Sequence, residues 1–108
     1  MTGPVPSVGR IVLYRLNEQD AAAVNRRRKD AANFGARDNQ TGYVVHVGNE
    51  VAAGDEFPLV IVRVWGDPAP AGPNLINGQV LLDGTDTLWV TSASEGNDER
   101  QWHWPEGV

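Results

Sequence analysis

Apolar and polar residues alternate in several short segments of the chain, a pattern typical of β-strands with one buried face. Residues 57–65 (FPLVIVRVW) show it most strongly, and Pro58 fits near a strand start because proline cannot donate to a neighbouring strand. Asn77 and Gly78 predict a bulge, and residues 83–85 (DGT) predict a hairpin turn. The pattern predicts six strands, at residues 10–16, 43–47, 57–65, 75–82, 86–92 and 101–104.

One segment has the features of a helix instead. Asn17 is a good N-cap because its side-chain oxygen can accept the free N–H groups of a first helical turn. Alanine-rich sequence continues to about residue 33, and Gly35 is typical of the residue that follows a helix. Val24 is the one large member of the apolar stripe. We therefore expect the helix, at about residues 18–33, to pack against another element or line an interface.

The 108 residues are enough for one domain. We expect a mainly β fold, a small SH3-like antiparallel barrel of about five or six short strands with one α-helix inserted after the first strand. The first nine residues hold two prolines and two glycines. From these we expect a flexible tail at residues 1–8 and a single β-barrel domain at residues 9–108.

Composition excludes several classes of function. The chain has no cysteine, which removes thiolate nucleophiles, disulfides and zinc fingers. Its two histidines are far apart and no serine lies in a Gly-x-Ser-x-Gly motif, so we expect no catalytic residue, no metal site and no cofactor. The longest apolar runs have four residues, and residues 1–4 do not resemble a secretory signal. These features predict a soluble, cytosolic, non-enzymatic domain.

The charge is unevenly distributed. The net charge is −5, yet residues 1–50 hold seven of the nine basic residues, four of them consecutive at residues 26–29. A sequence pI near 4.8 argues against duplex nucleic acid as a partner. It leaves open a small anion held by one basic cluster.

Four tryptophans are available for packing or for stacking on a ligand. Trp102 and Trp104 are two residues apart, so they share one face of a strand, whereas His103 points the other way. Tryptophan in a small domain usually fills the core or an interface. The alternative is that Trp89, Trp102 or Trp104 stacks on a base, as in single-strand binders.

The arginine-rich stretch and two turns supply the polar candidates. Arg26 and Arg27 either form a solvated helix face or bind phosphate through their guanidinium groups. Asn49 is either a turn residue or, with His46, a hydrogen-bonding group for a base edge or ribose. Thr91 and Ser92 place hydroxyl groups near a strand end, where a barrel would open.

The chain resembles a family of short proteins encoded by tailed bacteriophages and prophages. The resemblance covers nearly the whole chain beyond residue 8, except for loops at 34–42, 66–74 and 96–100. The matching parts are residues 9–16 (GRIVLYRL), 25–28 (NRRR), 46–49 (HVGN), 53–55 (AGD), Pro58, 61–65 (IVRVW), 77–84 (NGQVLLDG), Trp89, 91–92 (TS), 95–96 (EG) and 102–105 (WHWP).

This resemblance suggests a link to phage anti-defence proteins that act as nucleotide sponges. It implies a protein of the host bacterial cytoplasm that sequesters a cyclic nucleotide immune signal without cleaving it. Such sponges are small homo-oligomers, so self-association is expected, with no duplex nucleic acid and no membrane as partner. The implied ligand-binding residues are Arg26, Arg27, His46, Asn49, Trp89, Thr91, Ser92, Trp102 and Trp104.

Two other hypotheses remain open. In the first, the protein is a small phage virion or assembly protein that binds a larger phage protein, and its tryptophans lie in the core and the interface. In the second, it is an enzyme that degrades a signal nucleotide, for which His46 is the candidate base. The sequence does not distinguish a cyclic dinucleotide from a cyclic ADP-ribose type of signal.

Overall fold

The computed structural model of the protein describes residues 4–37, 48–69 and 72–107, with the side chains of residues 31–37 excepted. The strand predicted at residues 43–47 therefore lies outside the described residues. The elements in chain order are β1 (Ile11–Arg15), α1 (Glu18–Arg37), β2 (Glu56–Val64), β3 (Ile76–Leu81), β4 (Thr87–Ala93) and β5 (Trp102–His103).

The five strands form one antiparallel sheet in the order β4-β3-β2-β1-β5. The predicted mainly β fold, with one helix after the first strand, is confirmed. The sheet is not closed, so the prediction of a barrel is only loosely right. Within the described residues, an isolated parallel bridge between Glu95 and Trp102 joins the chain beyond β4 to β5.

The predicted bulge in β3 is present. The register between β3 and β4 shifts between Ile76 and Gly78, and a second shift occurs in β2 between Ile61 and Arg63. Gly78 lies opposite Ile61 on the core side, where a Cβ atom would collide with the Leu59 side chain. The glycine therefore lets two strands approach closely at the point where the sheet bends.

The inner face of the sheet holds the core. Val12 pairs with Leu59, Leu59 with Val80, and Val80 with Leu88, so one row crosses four strands. All four residues are buried, as expected for the inner face. The helix adds Ala21 and Val24 to the same cluster, which is the packing that its thin apolar stripe predicts. No helix in the described part of the chain is long and apolar enough to span a membrane.

The opposite side of the sheet, which we call the outer face, is formed by the alternate residues. Ile11 pairs with Val60, Val60 with Gln79, and Gln79 with Trp89, so one row crosses four strands. Leu13 and His103 form a pair in the next row. This face carries both apolar and polar residues.

The helix begins where the sequence predicts. The backbone N–H of Asp20 donates to Asn17 Oδ1 at 2.8 Å, and the N–H of Asn17 donates back to Asp20 Oδ2 at 3.2 Å. Tyr14 Oη also donates to Asp20 Oδ2, at 2.7 Å. Burial, together with the hydrogen bond to Asp20, raises the pKa of Tyr14, which keeps it a neutral donor. The cap thus also ties the helix start to β1.

The other end of the helix differs from the prediction. The helix continues through Gly35 and ends at Arg37, four residues beyond the expected end. One glycine inside a helix costs only about 1 kcal/mol, which does not by itself end a helix.

The residues before β1 are in contact with the fold. Sequence predicts a flexible tail at residues 1–8, yet Pro6 is fully buried. The N–H of Gly9 donates to the carbonyl oxygen of Ile61 at 2.8 Å. Residues 6–9 therefore pack against the sheet next to β2.

The helix cap can be tested by substitution. Asn17→Ala removes the acceptor for the Asp20 N–H, so we expect the free energy of unfolding to fall by about 1 kcal/mol. Asn17→Asp retains a side-chain acceptor and should stay within about 0.5 kcal/mol of the wild type. Urea unfolding followed by circular dichroism measures both, and equal losses would show that the cap does not stabilise the helix.

Candidate functional site

A cleft of about 840 Å³ lies between the first half of α1 and the segment that precedes Val51. Its volume falls in the range of small-molecule sites, about 300–1,000 Å³. The helix supplies most of the lining residues that the structure describes. The lining residues are Ala22, Asn25, Arg26, Arg28, Lys29, Gly48, Asn49 and Glu50.

Two cations of the cleft are available to a ligand. Arg26 and Lys29 are exposed and three residues apart, so they are neighbours on the helix surface. Neither forms an ion pair or a side-chain hydrogen bond with another described residue. Glu50 supplies a carboxylate on the opposite wall. The cleft can therefore bind an anion that also presents hydrogen-bond donors to Glu50.

The next two arginines of the helix are used differently. Arg28 Nη1 lies 2.8 Å from Asp86 Oδ1, and Arg27 Nη1 donates to Asp86 Oδ2 at 2.9 Å. The side chains of Arg28 and Asp86 are only 4% and 3% exposed. We call Arg27, Arg28 and Asp86 the arginine clamp, because it fastens α1 to the turn between β3 and β4.

The clamp determines the charge state of its carboxylate. Burial alone would raise the pKa of Asp86, but hydrogen bonds from Arg27 and Arg28 and their positive charges outweigh it. The pKa of Asp86 is therefore lowered from its ordinary value of 3.8. Asp86 stays ionised near neutral pH and balances charge that would otherwise be buried on Arg28.

Gly48 and Asn49 form the wall of the cleft opposite the helix. Arg28 Nε donates to the carbonyl oxygen of Asn49 at 3.1 Å, and Asn49 Nδ2 donates to Asp83 Oδ2 at 2.8 Å. A Cβ atom on Gly48 would lie 2.9 Å from Arg28 Cζ and would collide with the carbonyl oxygen of Asp83. Residue 48 must therefore be small for this segment to lie flat on the guanidinium group.

Asn25 holds the same segment from the helix side. Its Nδ2 donates to the carbonyl oxygen of Val51, and its Oδ1 accepts the N–H of Val51, both at 2.8 Å. The side-chain amide thus forms hydrogen bonds with both backbone polar groups of Val51, as a neighbouring strand would. Asn25 shapes the cleft and leaves none of these groups free for a ligand.

The structure brings together only part of the predicted site. Arg26 and Asn49 line the cleft, although the Asn49 side chain is bonded to Asp83. Arg27, predicted to bind phosphate, instead donates to Asp86 and to the carbonyl oxygen of Thr87. His46 lies outside the described residues.

Of the two alternatives for Trp102, core packing is confirmed and stacking on a ligand is wrong. Its ring is fully buried in the core, and its Nε1 donates to the carbonyl oxygen of Asn74 at 3.0 Å. Trp104 is half-buried, meets Trp102 edge-on at 5.6 Å and lies under the Arg10 guanidinium at 4.9 Å. Neither ring lines the cleft.

The remaining predicted residues lie on β4. Trp89 is half-exposed on the outer face, paired with Gln79. Thr91 and Ser92 are exposed, and Ser92 has a positive φ of 52° with its N–H donated to Asn77 Oδ1. None of the three lines the cleft, so the aromatic and basic candidates do not converge on one site within the chain.

Sequence reasoning assigned no ligand role to several residues that shape the cleft. Lys29 follows the three arginines directly, so its position one turn from Arg26 could have been read from helical spacing. Asp86 carried no local indication, because an aspartate beside a glycine turn is ordinary and its partners are 58 and 59 residues away.

The described lining of the cleft carries cations, one carboxylate and side-chain amides. In the part of the chain that the structure describes, no serine, threonine or histidine lines it. Among the described residues, no group of three or more histidine, aspartate or glutamate side chains is arranged to hold a metal ion. The groups on hand can bind and orient an anion.

Comparisons of the chain with models of protein families, with curated proteins and with solved structures give no match.

The arginine clamp makes a prediction about stability. Asp86→Asn leaves the buried Arg28 without its counter-charge, so we expect the free energy of unfolding to fall by about 3 kcal/mol. Asp83→Asn, at an exposed residue of the same turn, should cost less than about 1 kcal/mol. Chemical denaturation at pH 7 measures both, and similar losses would contradict the clamp.

The same pair of proteins tests the pH dependence. The pKa of Asp86 is lower in the folded state, so its stabilising effect is fully present above the ordinary carboxyl pKa and is lost as the pH falls through the folded-state pKa. The stability difference between wild type and Asp86→Asn should therefore shrink below about pH 4. A difference that grows on acidification would contradict the assignment.

The placement of Trp102 also has a measurable consequence. Trp102→Phe removes the donor to Asn74 and leaves space in the core, so we expect a loss of about 2–3 kcal/mol in unfolding free energy. Trp89→Phe, at a half-exposed ring, should change it by less than about 0.5 kcal/mol. Urea titrations of the two variants give the comparison, which a reversed order would refute.

Proposed function

We propose that the protein binds a small anionic nucleotide signal in the cleft beside α1 and holds it without cleaving it. The observation that carries this proposal is that two cations, Arg26 and Lys29, lie on the wall of a cleft of about 840 Å³ and form no ion pair with another described residue. In a chain of net charge −5, these groups form a local positive region that favours an anion.

The arginine clamp supports this role because it holds the wall of the cleft in place and does not involve Arg26 or Lys29. Asp86 neutralises charge on Arg27 and Arg28, which lie at the helix–sheet contact. Arg26 and Lys29 pair with no carboxylate of the described residues, so their charges can meet a ligand. Because Arg28 also bonds to the backbone of Asn49, the opposite wall is positioned before the ligand arrives.

The nucleotide class comes from the resemblance to small phage proteins and anti-defence sponges. A cyclic dinucleotide or a cyclic ADP-ribose type of signal carries phosphates for Arg26 and Lys29. Its base or ribose N–H and O–H groups can donate to Glu50. None of the lining residues that the structure describes is a serine, threonine or histidine, which supports release of unchanged ligand. A phage-encoded protein of this kind acts in the host cytoplasm.

Calorimetric titration of the purified protein with cyclic dinucleotides, cyclic trinucleotides and cyclic ADP-ribose isomers tests the proposal. We expect at least one to bind, and Arg26→Ala and Lys29→Ala each to weaken it about tenfold or more, since a charge-assisted hydrogen bond contributes about 1.5–3 kcal/mol. Arg63→Ala is the matched control, because Arg63 is an exposed cation on β2 outside the cleft lining.

The bound ligand is then released by denaturing the protein and identified by chromatography. Intact ligand supports sequestration, whereas an altered ligand would replace it with an enzymatic function. Absence of binding across the panel, or an equal loss of affinity in Arg63→Ala, would overturn the proposed site.

A further inference from the structure

The outer face of the sheet carries most of the exposed large apolar side chains in the described residues. Seven such side chains are exposed, and Val5 and Val8 precede β1. The other five are 42–52% exposed and lie on the outer face or at its border: Ile11, Val62, Trp65, Leu81 and Trp89. Trp65 directly follows β2, and its Nε1 donates to Asn77 Oδ1 on β3.

The area involved is large enough to matter. Side chains of this size at about half exposure together present on the order of 450 Å² of apolar surface. The largest apolar patch on a typical monomer measures about 300–600 Å² and is often functional. The area is also about half of the roughly 800 Å² that each partner buries in a standard protein interface, before polar neighbours such as Gln79 are counted.

Charged side chains lie at the margins of this face. Glu56 lies 3.4 Å from Arg15 and 2.8 Å from His103 Nε2, which gathers these charges near the β1 and β5 side. Arg63 stacks over the Trp65 ring at 4.7 Å. The outward positions of β3 and β4 hold Gln79, Leu81, Thr87, Trp89 and Thr91, none of them charged.

This distribution identifies the kind of partner. Interfaces between transient partners are about as polar as the rest of a surface, whereas homodimer interfaces are more apolar and have few charges at the centre. The middle of the outer face is uncharged, as in the second kind of interface, because Val60 and Gln79 occupy the middle of the row that runs from Ile11 to Trp89. This arrangement also limits the self-repulsion expected of a chain with net charge −5.

We propose that the outer face packs against the outer face of a second copy of this chain in a two-fold interface that includes the row from Ile11 to Trp89. Such an interface is self-complementary, so one apolar surface serves both copies. This proposal does not depend on the ligand-binding function, because the cleft is lined by other residues.

Pairing of two β4 edges is the competing arrangement. β4 is an edge of the sheet, but the carbonyl oxygen of its first residue, Thr87, already accepts from Arg27 at 2.8 Å. Gly48 forms a bridge with Gly84 just before the strand begins. The start of this edge is therefore engaged within the chain, whereas the outer face is not covered by any described residue.

Sedimentation velocity of the full chain tests the oligomeric state. We expect the wild type to sediment at about twice 11.7 kDa at micromolar concentration, and Ile11→Lys and Trp89→Lys each to weaken the dimer at least about tenfold. Gln19→Lys is the matched control, since Gln19 is exposed on α1, which packs against the inner face, and it should leave the dimer unchanged. Circular dichroism shows that each variant keeps its fold.

Cross-linking distinguishes face packing from edge pairing. The chain has no cysteine, so Gln79→Cys gives one thiol on the internal strand β3. Face packing should let a short bis-maleimide join two copies, whereas edge pairing separates the two β3 strands by about 14 Å, three strand spacings.

Several results would overturn the proposal. A wild-type monomer at about 100 μM would mean that the face is free or serves a protein of different sequence. A dimer that both lysine variants leave intact would place the interface elsewhere. A dimer that cross-links through Thr91→Cys on β4 but not through Gln79→Cys would establish edge pairing instead.

Discussion

The ion pair between Arg28 and Asp86 is the contact on which the arrangement of the helix depends. Both side chains are almost completely buried, and their nitrogen and oxygen atoms lie 2.8 Å apart. The helix contributes only Ala21 and Val24 to the described core cluster, so hydrophobic packing alone holds it weakly. A buried charge without its partner is costly, and this cost keeps the helix close to the turn between β3 and β4.

That constraint also builds the cleft. Once Arg28 is fixed, its Nε bonds to the backbone of Asn49 and its guanidinium lies against Gly48. Asn25, one turn earlier, fixes Val51 through two hydrogen bonds. The helix therefore uses its buried polar residues to position the opposite wall, and its exposed residues Arg26 and Lys29 remain to meet a ligand.

The fold was more predictable from sequence than the site was. Strand alternation and the Asn17 cap depend on neighbouring residues, so the strand positions, the β3 bulge and the helix start could be read locally. The roles of the arginines could not, because Asp86 is 58 residues from Arg28 in sequence. Nothing local indicates which arginine of a consecutive run is neutralised by such a distant carboxylate.

The tryptophans show a second limit of prediction from sequence. Trp89 and Trp102 both lie on strands, but their exposure depends on which side of the sheet faces the core. Trp102 pairs with Tyr14 on the inner face, whereas Trp89 pairs with Gln79 on the outer face. A one-residue change of register would exchange the faces.

The two surfaces that remain available differ in chemistry and therefore in the partners they suit. The cleft is small and has the cations Arg26 and Lys29 on its wall, which suits a compact anion. The outer face is broad and apolar around Trp89, which suits another protein surface. Because the residues of the two surfaces do not overlap, each copy in a dimer would keep its own cleft open to solvent. Ligand binding and self-association can then occur together without competing for the same side chains.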